Sequence, residues 1–550
     1  MTTRPLPAPP LAAAPASAPA PLTAAGLAVL LIAVMPVNFV FGSVNVLADA
    51  IGHDLGTGPA GQQLVLASYT TAFAAGLVVS GRIGDRCGRR RMLRIGGLAM
   101  AVISIATAFA PGLASVVVLR VLLGIGAGLL TPQVLATIQT TARGAARSRG
   151  LMLFAAVSGV STVLGQIVAG IVATALPEDL GWRAVQVLTG LLALIGVLAL
   201  RAVPATRSPH PLELDAPGST VLGAALLLLV VPLTIGPSSG WPAWSLGALV
   251  AGVLLLAAFW ALQLRSERAG RIPVVPPSVL RIVVVRRGLV MALLFFTTYG
   301  AMLYELAALA QSRYAMGPMG PAVLVLGFGI AFIATSALLP RVVPGAGERT
   351  MLRAGLVQSL ILLAIAGLAA TGHDDLATLQ WALIPMGVAQ ACMFGPVLTT
   401  VLSRAPQEAA GTVGGLFATV QQLGLSLGVA LLGGLFWSLA GHDAAGGAAG
   451  AAAGRSAADA AASMDLALGV VFAVHALCAL VFAALARSLV ALPADTAPVV
   501  DTALAADGAS VADTAPTADA APVVSAAPVA GAARVVSAAP TAPASGRPAG

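Results

Sequence analysis

The chain has 550 residues, of which 58% are hydrophobic and only 9% charged, and its formal charge is +8. A soluble globule turns roughly 25% charged residues toward water, so a soluble multidomain protein is excluded and the surplus apolar surface is expected to face lipid. All 29 basic residues are Arg; without Lys there is no P-loop for ATP and no amine for a Schiff base, and arginines scattered over short loops do not form the single basic face of a nucleic-acid binder.

Residues 1–22 are Pro/Ala-rich, with Arg4 as their one charge, and are expected to be a disordered arm. The apolar run from Thr23 to about Ala48 is too long for the core of a cleavable signal, and many similar runs follow it. A helix needs about 20 apolar residues to cross the hydrocarbon core. On that length, spans are expected near 24–48, 62–80, 93–111, 113–134, 151–175, 183–203, 218–236 and 244–264, then near 288–312, 320–340, 351–371, 377–402, 411–438 and 465–487. The expected fold class is an all-α membrane protein of about fourteen spans. An Ala/Gly linker at 440–463 lies outside the membrane, and the repetitive Ala/Pro/Val tail at 488–550 has no helical period and reads as disordered.

Orientation follows from the arginines, which accumulate on the cytoplasmic side. They crowd the loops after spans 2, 4, 8 and 10: Arg82 to Arg94, Arg143 to Arg149, Arg265 to Arg287, and Arg341 to Arg353. The opposite loops carry acids (Asp49, Asp54, Glu178, Asp179, Asp374 and Asp375), and only Arg183, Arg313 and Arg455 break the pattern. Both termini are therefore expected in the cytoplasm of a cell-membrane protein.

An internal repeat underlies these spans. The segment from Gly81 to Arg94 aligns without gaps on Pro340 to Arg353, with Arg82/Arg341, Gly88/Gly347, Arg90/Arg349 and Arg94/Arg353 identical at an offset of 259. A second stretch matches at an offset of 263, through Phe154/Phe417, Gly165/Gly428 and Gly170/Gly433. Spans 2–3 thus map onto 10–11 and span 5 onto span 13, which makes two six-span halves with spans 7 and 8 inserted. Parallel repeats about an axis along the membrane normal are the signature of a transporter with its substrate site between the halves.

These residues resemble the fourteen-span drug:proton antiporter branch of the major facilitator superfamily over about 24–487. Gly81-Arg-Ile-Gly84-Asp85-Arg86-Cys-Gly88-Arg89-Arg90-Arg91 is similar to the superfamily's signature after span 2, and the resemblance implies a latch closing the cytoplasmic gate. Arg120, in Leu119-Arg-Val-Leu-Leu-Gly124, is similar to the span 4 signature, which implies proton coupling; a structural pairing to a carbonyl is the alternative. Pro406-Gln-Glu408 and Gln421-Gln422-Leu-Gly424 also fit the branch. Span 5 departs from it, with Gln166 where the family has Pro and Ala169 for a Gly. Span 1 keeps Val44-Asn45-Val46 but carries Val40 where an acid is expected, with Asp49 further along. The implied organisation is an N-terminal bundle at 23–203, inserted helices and a linker at 204–287, and a C-terminal bundle at 288–487.

Among the remaining polar residues, Glu305 is the one acid well inside an apolar run, near Tyr299, Tyr304 and Gln311. Glu305, Arg120 and Asp49 are the proton-coupling candidates, although Glu305 also reads as a carboxyl bonded to a neighbouring helix and Asp49 as a solvated rim acid. A carboxyl facing Arg120 would offset part of the cost of burying either charge. Asn38, Asn45, Gln133, Gln166, Tyr299, Tyr304, Gln390 and Gln421 are candidates for lining a substrate cavity, as is Ser158, with Met386, Met393 and Phe394 as an adaptable apolar wall. Three cysteines and five histidines show no disulfide or metal spacing, so no metal, cofactor or enzyme chemistry is expected. The function these readings favour is proton-driven export of hydrophobic small molecules by a monomer in the bilayer. An uncoupled facilitator or importer on the same fold is the alternative, and a membrane-embedded sensor or enzyme the reading from another class.

Overall fold

The computed structural model describes residues 21–491, apart from 208–214, 237–239, 272, 344–345, 374, 405–409 and 442–456. All regular structure among them is helical. The first group is α1 (Ala24–Asp54), α2 (Pro59–Cys87), α3 (Arg89–Thr107), α4 (Leu113–Thr141), α5 (Gly144–Ala175) and α6 (Glu178–Ala199). Then come α7 (Ala216–Ile235), α8 (Ala243–Arg268) and the short α9 (Pro277–Arg281). The last group is α10 (Val283–Ser312), α11 (Gly320–Leu324), α12 (Leu326–Val342), α13 (Glu348–Ala370), α14 (Leu376–Ser403), α15 (Ala410–Gly428), α16 (Gly434–Leu439) and α17 (Ala457–Val490).

Local chemistry sets several helix boundaries. Thr23 Oγ1 accepts from Gly26 N to start α1, and the carboxylates of Asp215 and Asp375 cap α7 and α14 in the same way. Pro59 opens α2, where its missing N–H costs nothing. Between α2 and α3 the expected loop shrinks to Gly88, which adopts φ +98. Its arginines are therefore helical, because helices here outrun the length needed merely to cross the hydrocarbon. α1 likewise continues to Asp54, so Asp49 sits on a helix and not in a loop.

Among the described residues, eleven helices are long and apolar enough to cross a membrane, and α2, bent by 49° after Leu77, makes twelve. α3, with 19 residues and an arginine-rich start, and α12, with 17 residues after the break at Val325, stand outside that count. Span 13 is a composite: α15 passes through a π-helical turn at Val429–Gly433 into α16.

Packing repeats with the sequence. The contacts α2–α4, α3–α6, α1–α5 and α1–α6 recur as α12–α14, α13–α17, α10–α15 and α10–α17. A Cβ on Gly124 would collide with the Tyr69 carbonyl, and one on Gly387 with the Phe328 carbonyl. Gly124 and Gly387 are 263 residues apart and Tyr69 and Phe328 are 259 apart, the two offsets of the repeat. Gly165 against Phe39 and Gly428 against Thr297 make a second equivalent pair. Small residues let helix backbones meet where lipid supplies no hydrophobic driving force.

The inserted α7 and α8 pack on each other, and α7 lies along α2. Asp215 accepts from Gln263 Nε2 at 3.1 Å, Gln263 Oε1 from Val275 N at 3.0 Å, and Arg82 donates to the Pro273 carbonyl. The insert and its linker are thereby tied to the motif end of α2.

Candidate functional site

The two groups of helices meet along α2–α15, α5–α12 and α1–α10, and a cavity of about 350 Å³, partly open to the exterior, lies on this interface. One wall is aromatic: Phe41 of α1, Tyr69 and Phe73 of α2, and Phe296 and Tyr299 of α10. Val37 and Leu425 add aliphatic contact, and the polar groups are neutral, namely Asn38, Thr162, Gln421 and Gln422. Behind Tyr299 the aromatic surface continues, with Phe295 stacked on it at 6.0 Å and Phe394 stacked on Phe295 at 5.8 Å. Such a surface offers stacking and apolar contact, with a few amides to orient a ligand.

A second cavity of about 250 Å³ lies toward the C-terminal end of α1, between Asn45, Asp49, Gln62, Tyr304, Gln311 and Trp437. Hydrogen bonds hold it together: Gln62 Nε2 to Asp49 Oδ1 at 3.5 Å, Trp437 Nε1 to the Tyr304 hydroxyl at 2.9 Å, and Gln311 Nε2 to the Val46 carbonyl at 3.0 Å. A buried cluster around it draws on both groups, from Val44, Leu47 and Ile51 to Leu432, Phe436 and Val471. The other two large clusters each stay within one group, apart from Phe41 and Ala418 at their edges. The molecule is sealed at the acid-bearing end by this shared cluster and these hydrogen bonds.

Of the predicted cavity residues, Asn38, Tyr299 and Gln421 line the central space, and Asn45 and Tyr304 the smaller one. Gln133, Gln166 and Gln390 line neither. Gln133 donates to the Ser80 carbonyl at 2.8 Å beneath Gly84, Gln390 points its amide at Met302 Sδ, and Gln166 is buried on α5. Ser158 bonds back to its own helix, and Met386 and Met393 belong to the core of the last group. Tyr69, Phe73, Phe296 and Thr162 are not singled out by the sequence, and Gln422 appears there only within the Gln421-Gln422 motif, not as a cavity residue; an aromatic ring on an apolar helix carries no signal.

Arg120 is fully buried, but the carboxyl partner expected for it is replaced by a backbone carbonyl and a ring. Its Nε donates to Val65 O at 3.0 Å, and its guanidinium lies 4.8 Å from the Tyr69 ring centroid. Tyr69, in turn, donates to the Val37 carbonyl at 2.8 Å.

In the signature after span 2, Asp85 pairs with Arg89 at 2.8 Å, and Arg89 also donates to Thr140 Oγ1 at 2.6 Å and Ala136 O at 3.2 Å. These bonds tie α2, α3 and α4 to one another. Arg86 is exposed, Arg90 partly buried, and Gly81 opens on free space.

Glu305 is wholly buried and lines neither cavity. It faces α17, where its Oε2 lies 3.6 Å from Nε2 of His475, itself 1% exposed. His475 is one of the five histidines without metal spacing; 170 residues separate it from Glu305, and the α10–α17 contact brings them together.

Residues 30–429 match the family model described as Major Facilitator Superfamily. A probable actinorhodin transporter of Streptomyces coelicolor is 32% identical, over 73% of this chain and 70% of that protein. The puromycin resistance protein pur8 of Streptomyces alboniger is 32% identical over 77% and 84% of the two chains, and the tetracenomycin C resistance and export protein of Streptomyces glaucescens 31% over 72% and 73%. Among solved structures, a peptide transporter POT in complex with sulfate superposes with a TM-score of 0.61 at 16% identity, over 86% of this chain and 96% of that one. The proton:xylose symporter XylE gives a TM-score of 0.53 at 15% identity, over 82% and 94%.

Proposed function

The chain belongs to the major facilitator superfamily, and from that premise we propose that it exports hydrophobic, ring-bearing small molecules in exchange for protons. It is a multi-pass membrane transporter of small molecules and not an enzyme. The observation that carries the cargo class is the central cavity, walled by rings and amides with no charged side chain among its lining residues. Relatives named for export of, or resistance to, individual compounds support the outward direction.

In this reading α3 and α12 are spans beside the twelve, which takes the chain to fourteen. Residues 23–203 and 288–487 form the two rocking bundles of a monomer, with 204–287 inserted between them. The arginine distribution supports cytoplasmic termini, and on that reading the sealed acid-bearing end is the closed side of an inward-facing conformation. Gly81, Gly84, Asp85, Arg86, Gly88, Arg89 and Arg90 form the cytoplasmic gate motif. The proton enters through Glu305, with Asp49 at the outer seam and Arg120 behind Tyr69 as the other charged participants.

Radiolabelled puromycin taken up by proteoliposomes with an acidic interior tests the proposal. Accumulation that collapses when nigericin dissipates the pH gradient is the expected result. Uptake indifferent to the gradient favours a facilitator or importer instead, a reading that the lack of a carboxylate in the central cavity recommends.

A further inference from the structure

We propose that Glu305 and His475 share a single proton, and that this store, set apart from the cargo cavity, controls the seam between α10 and α17. The inference deepens the antiport reading above and rests on it.

Glu305 and His475 face each other at 3.6 Å, and none of the four side-chain heteroatoms involved has a hydrogen bond to the protein. The neighbours along both helices belong to one buried apolar cluster: Met302, Leu306 and Leu309 on α10, and Leu468, Phe472 and Ala476 on α17. The Phe472 ring stacks on the imidazole at 5.5 Å and holds its plane. A carboxylic acid beside a neutral imidazole, or a carboxylate beside an imidazolium, carries one proton and no net charge. The two forms differ only in where that proton sits, and a side-chain adjustment of under an ångström brings the pair within hydrogen-bond distance.

Loss of the proton to water changes the balance. It leaves a carboxylate against a neutral imidazole, and an uncompensated buried charge costs several kcal/mol. The charge is relieved when α10 and α17 part and water reaches the carboxylate. Recapture of a proton from the opposite side restores a neutral, dry seam. One proton therefore crosses per cycle, and no other group is consumed.

Other titratable groups on the elements packed against α10 are few among the described residues. α1 carries Asp49, His53 and Asp54, α9 carries Arg281, α14 carries Cys392, and α15 and α16 carry none. On α17, Cys478 lies one turn beyond His475, Arg487 is near the helix end, and Asp465 is already paired with Arg313 at 2.9 Å, while α13, packed on α17, carries Glu348, Arg349 and Arg353 in its first two turns. On α10 itself, Arg286 and Arg287 are at the opposite end, Tyr299 faces the central cavity and Tyr304 bonds Trp437. Displacing α10 from α17 therefore moves Tyr299 at the cargo site and Tyr304 and Gln311 at the outer seam. Coupling runs through one helix that both ligands bias, and cargo does not compete with the proton for a common carboxylate.

Glu305→Gln, His475→Gln and the exchange Glu305→His with His475→Glu, each in the full-length protein in proteoliposomes, test the proposal. Gradient-driven puromycin accumulation is expected to fall by about tenfold or more in both single variants, with puromycin binding and counterflow at equal pH persisting. Accumulation should return in part in the exchanged pair. Infrared difference spectra should show a protonated-carboxyl band in the wild type that vanishes in Glu305→Gln and titrates at a displaced pH in His475→Gln. An unchanged band midpoint and accumulation in His475→Gln overturn the shared proton. Lost puromycin binding in Glu305→Gln places that carboxyl at the cargo site and overturns the separation. Loss of counterflow in all three variants reduces the pair to packing. A wild type without gradient-driven accumulation overturns the antiport reading and the dyad together; coupling intact in every variant overturns the dyad alone.

Discussion

The seam between the first and sixth spans of one half can be set beside its counterpart in the other. At the rim, α1 and α6 are joined by Asp54 and Arg183 at 2.8 Å, and α10 and α17 by Arg313 and Asp465 at 2.9 Å. The same bond is made with acid and base exchanged between the helices. Deeper in, the seams part company. In the first half Gly196 rests against the backbone of Ala33, close enough that a Cβ would clash, whereas in the second Glu305 faces His475. The wholly buried charge of the first half is Arg120, which stays ionised at any physiological pH. The inner part of one seam is thus closed by backbone packing, and that of the other by a pair of groups that titrate.

The glycine crossings are where the halves should still behave alike, and where the largest effects are expected. Gly165→Leu and Gly428→Leu each drive a side chain into a backbone carbonyl of the facing helix, of Phe39 and Thr297 respectively. Overpacking costs about 1–3 kcal/mol where side chains can shift, and more where the obstacle is main chain. Both variants should lose most of their monodisperse protein in size-exclusion chromatography. If only one does, the structural equivalence of the halves is not an energetic one.

The next effect separates the halves. Arg120→Gln removes a charge that does not titrate between about pH 5.5 and 8.5. Its transport rate should fall in the same proportion at every pH in that interval, leaving the shape of the profile intact, whereas His475→Gln should move the profile itself. A displaced profile in Arg120→Gln would put the first half into the titration and break the contrast.

How much of this was legible in the sequence depends on what kind of signal a residue leaves. Apolar runs gave the helices, since hydrocarbon thickness acts on every span alike. Boundaries slipped where helices outran the membrane, as at Asp49 and at Arg89 to Arg91. Polar residues were sorted poorly: an amide in a span lines a cavity (Asn38, Gln421) or caps a carbonyl of the next helix (Gln133), and only packing decides which. Tyr69 and Phe296 resembled ordinary core. Glu305 stood out because an acid is rare in such a run, but its partner did not, because 170 residues lie between them. The repeat contained more than the alignment extracted. Gly124/Gly387 and Tyr69/Phe328 obey its two offsets, but against a background of 61 glycines they acquire meaning only once each glycine is seen against a carbonyl.

The smallest expected effect returns to the rim. Arg183 and Arg313 broke the arginine bias, and each is neutralised by an acid of the neighbouring helix. Both pairs are partly exposed, with side-chain accessibilities of 25%/18% and 28%/13%, and exposed pairs contribute about 0.2–1 kcal/mol. Arg183 also donates to the Ala108 and Ala110 carbonyls and stacks on Trp182, while Asp54 accepts from Trp182 Nε1. Arg313 likewise lies over the Tyr314 ring at 5.6 Å, so Arg183→Ala and Arg313→Ala should each lower the thermal midpoint slightly, and added salt should shrink both effects by screening the ionic share. Exchanging the second pair, Arg313→Asp with Asp465→Arg, writes it in the order used by the first half. If the two rims are equivalent apart from that order, the exchanged protein melts with the wild type and each single reversal melts below both. A double exchange no more stable than its single reversals would show that the second rim depends on its particular side-chain geometry, and that the two seams differ from their outermost contact inward.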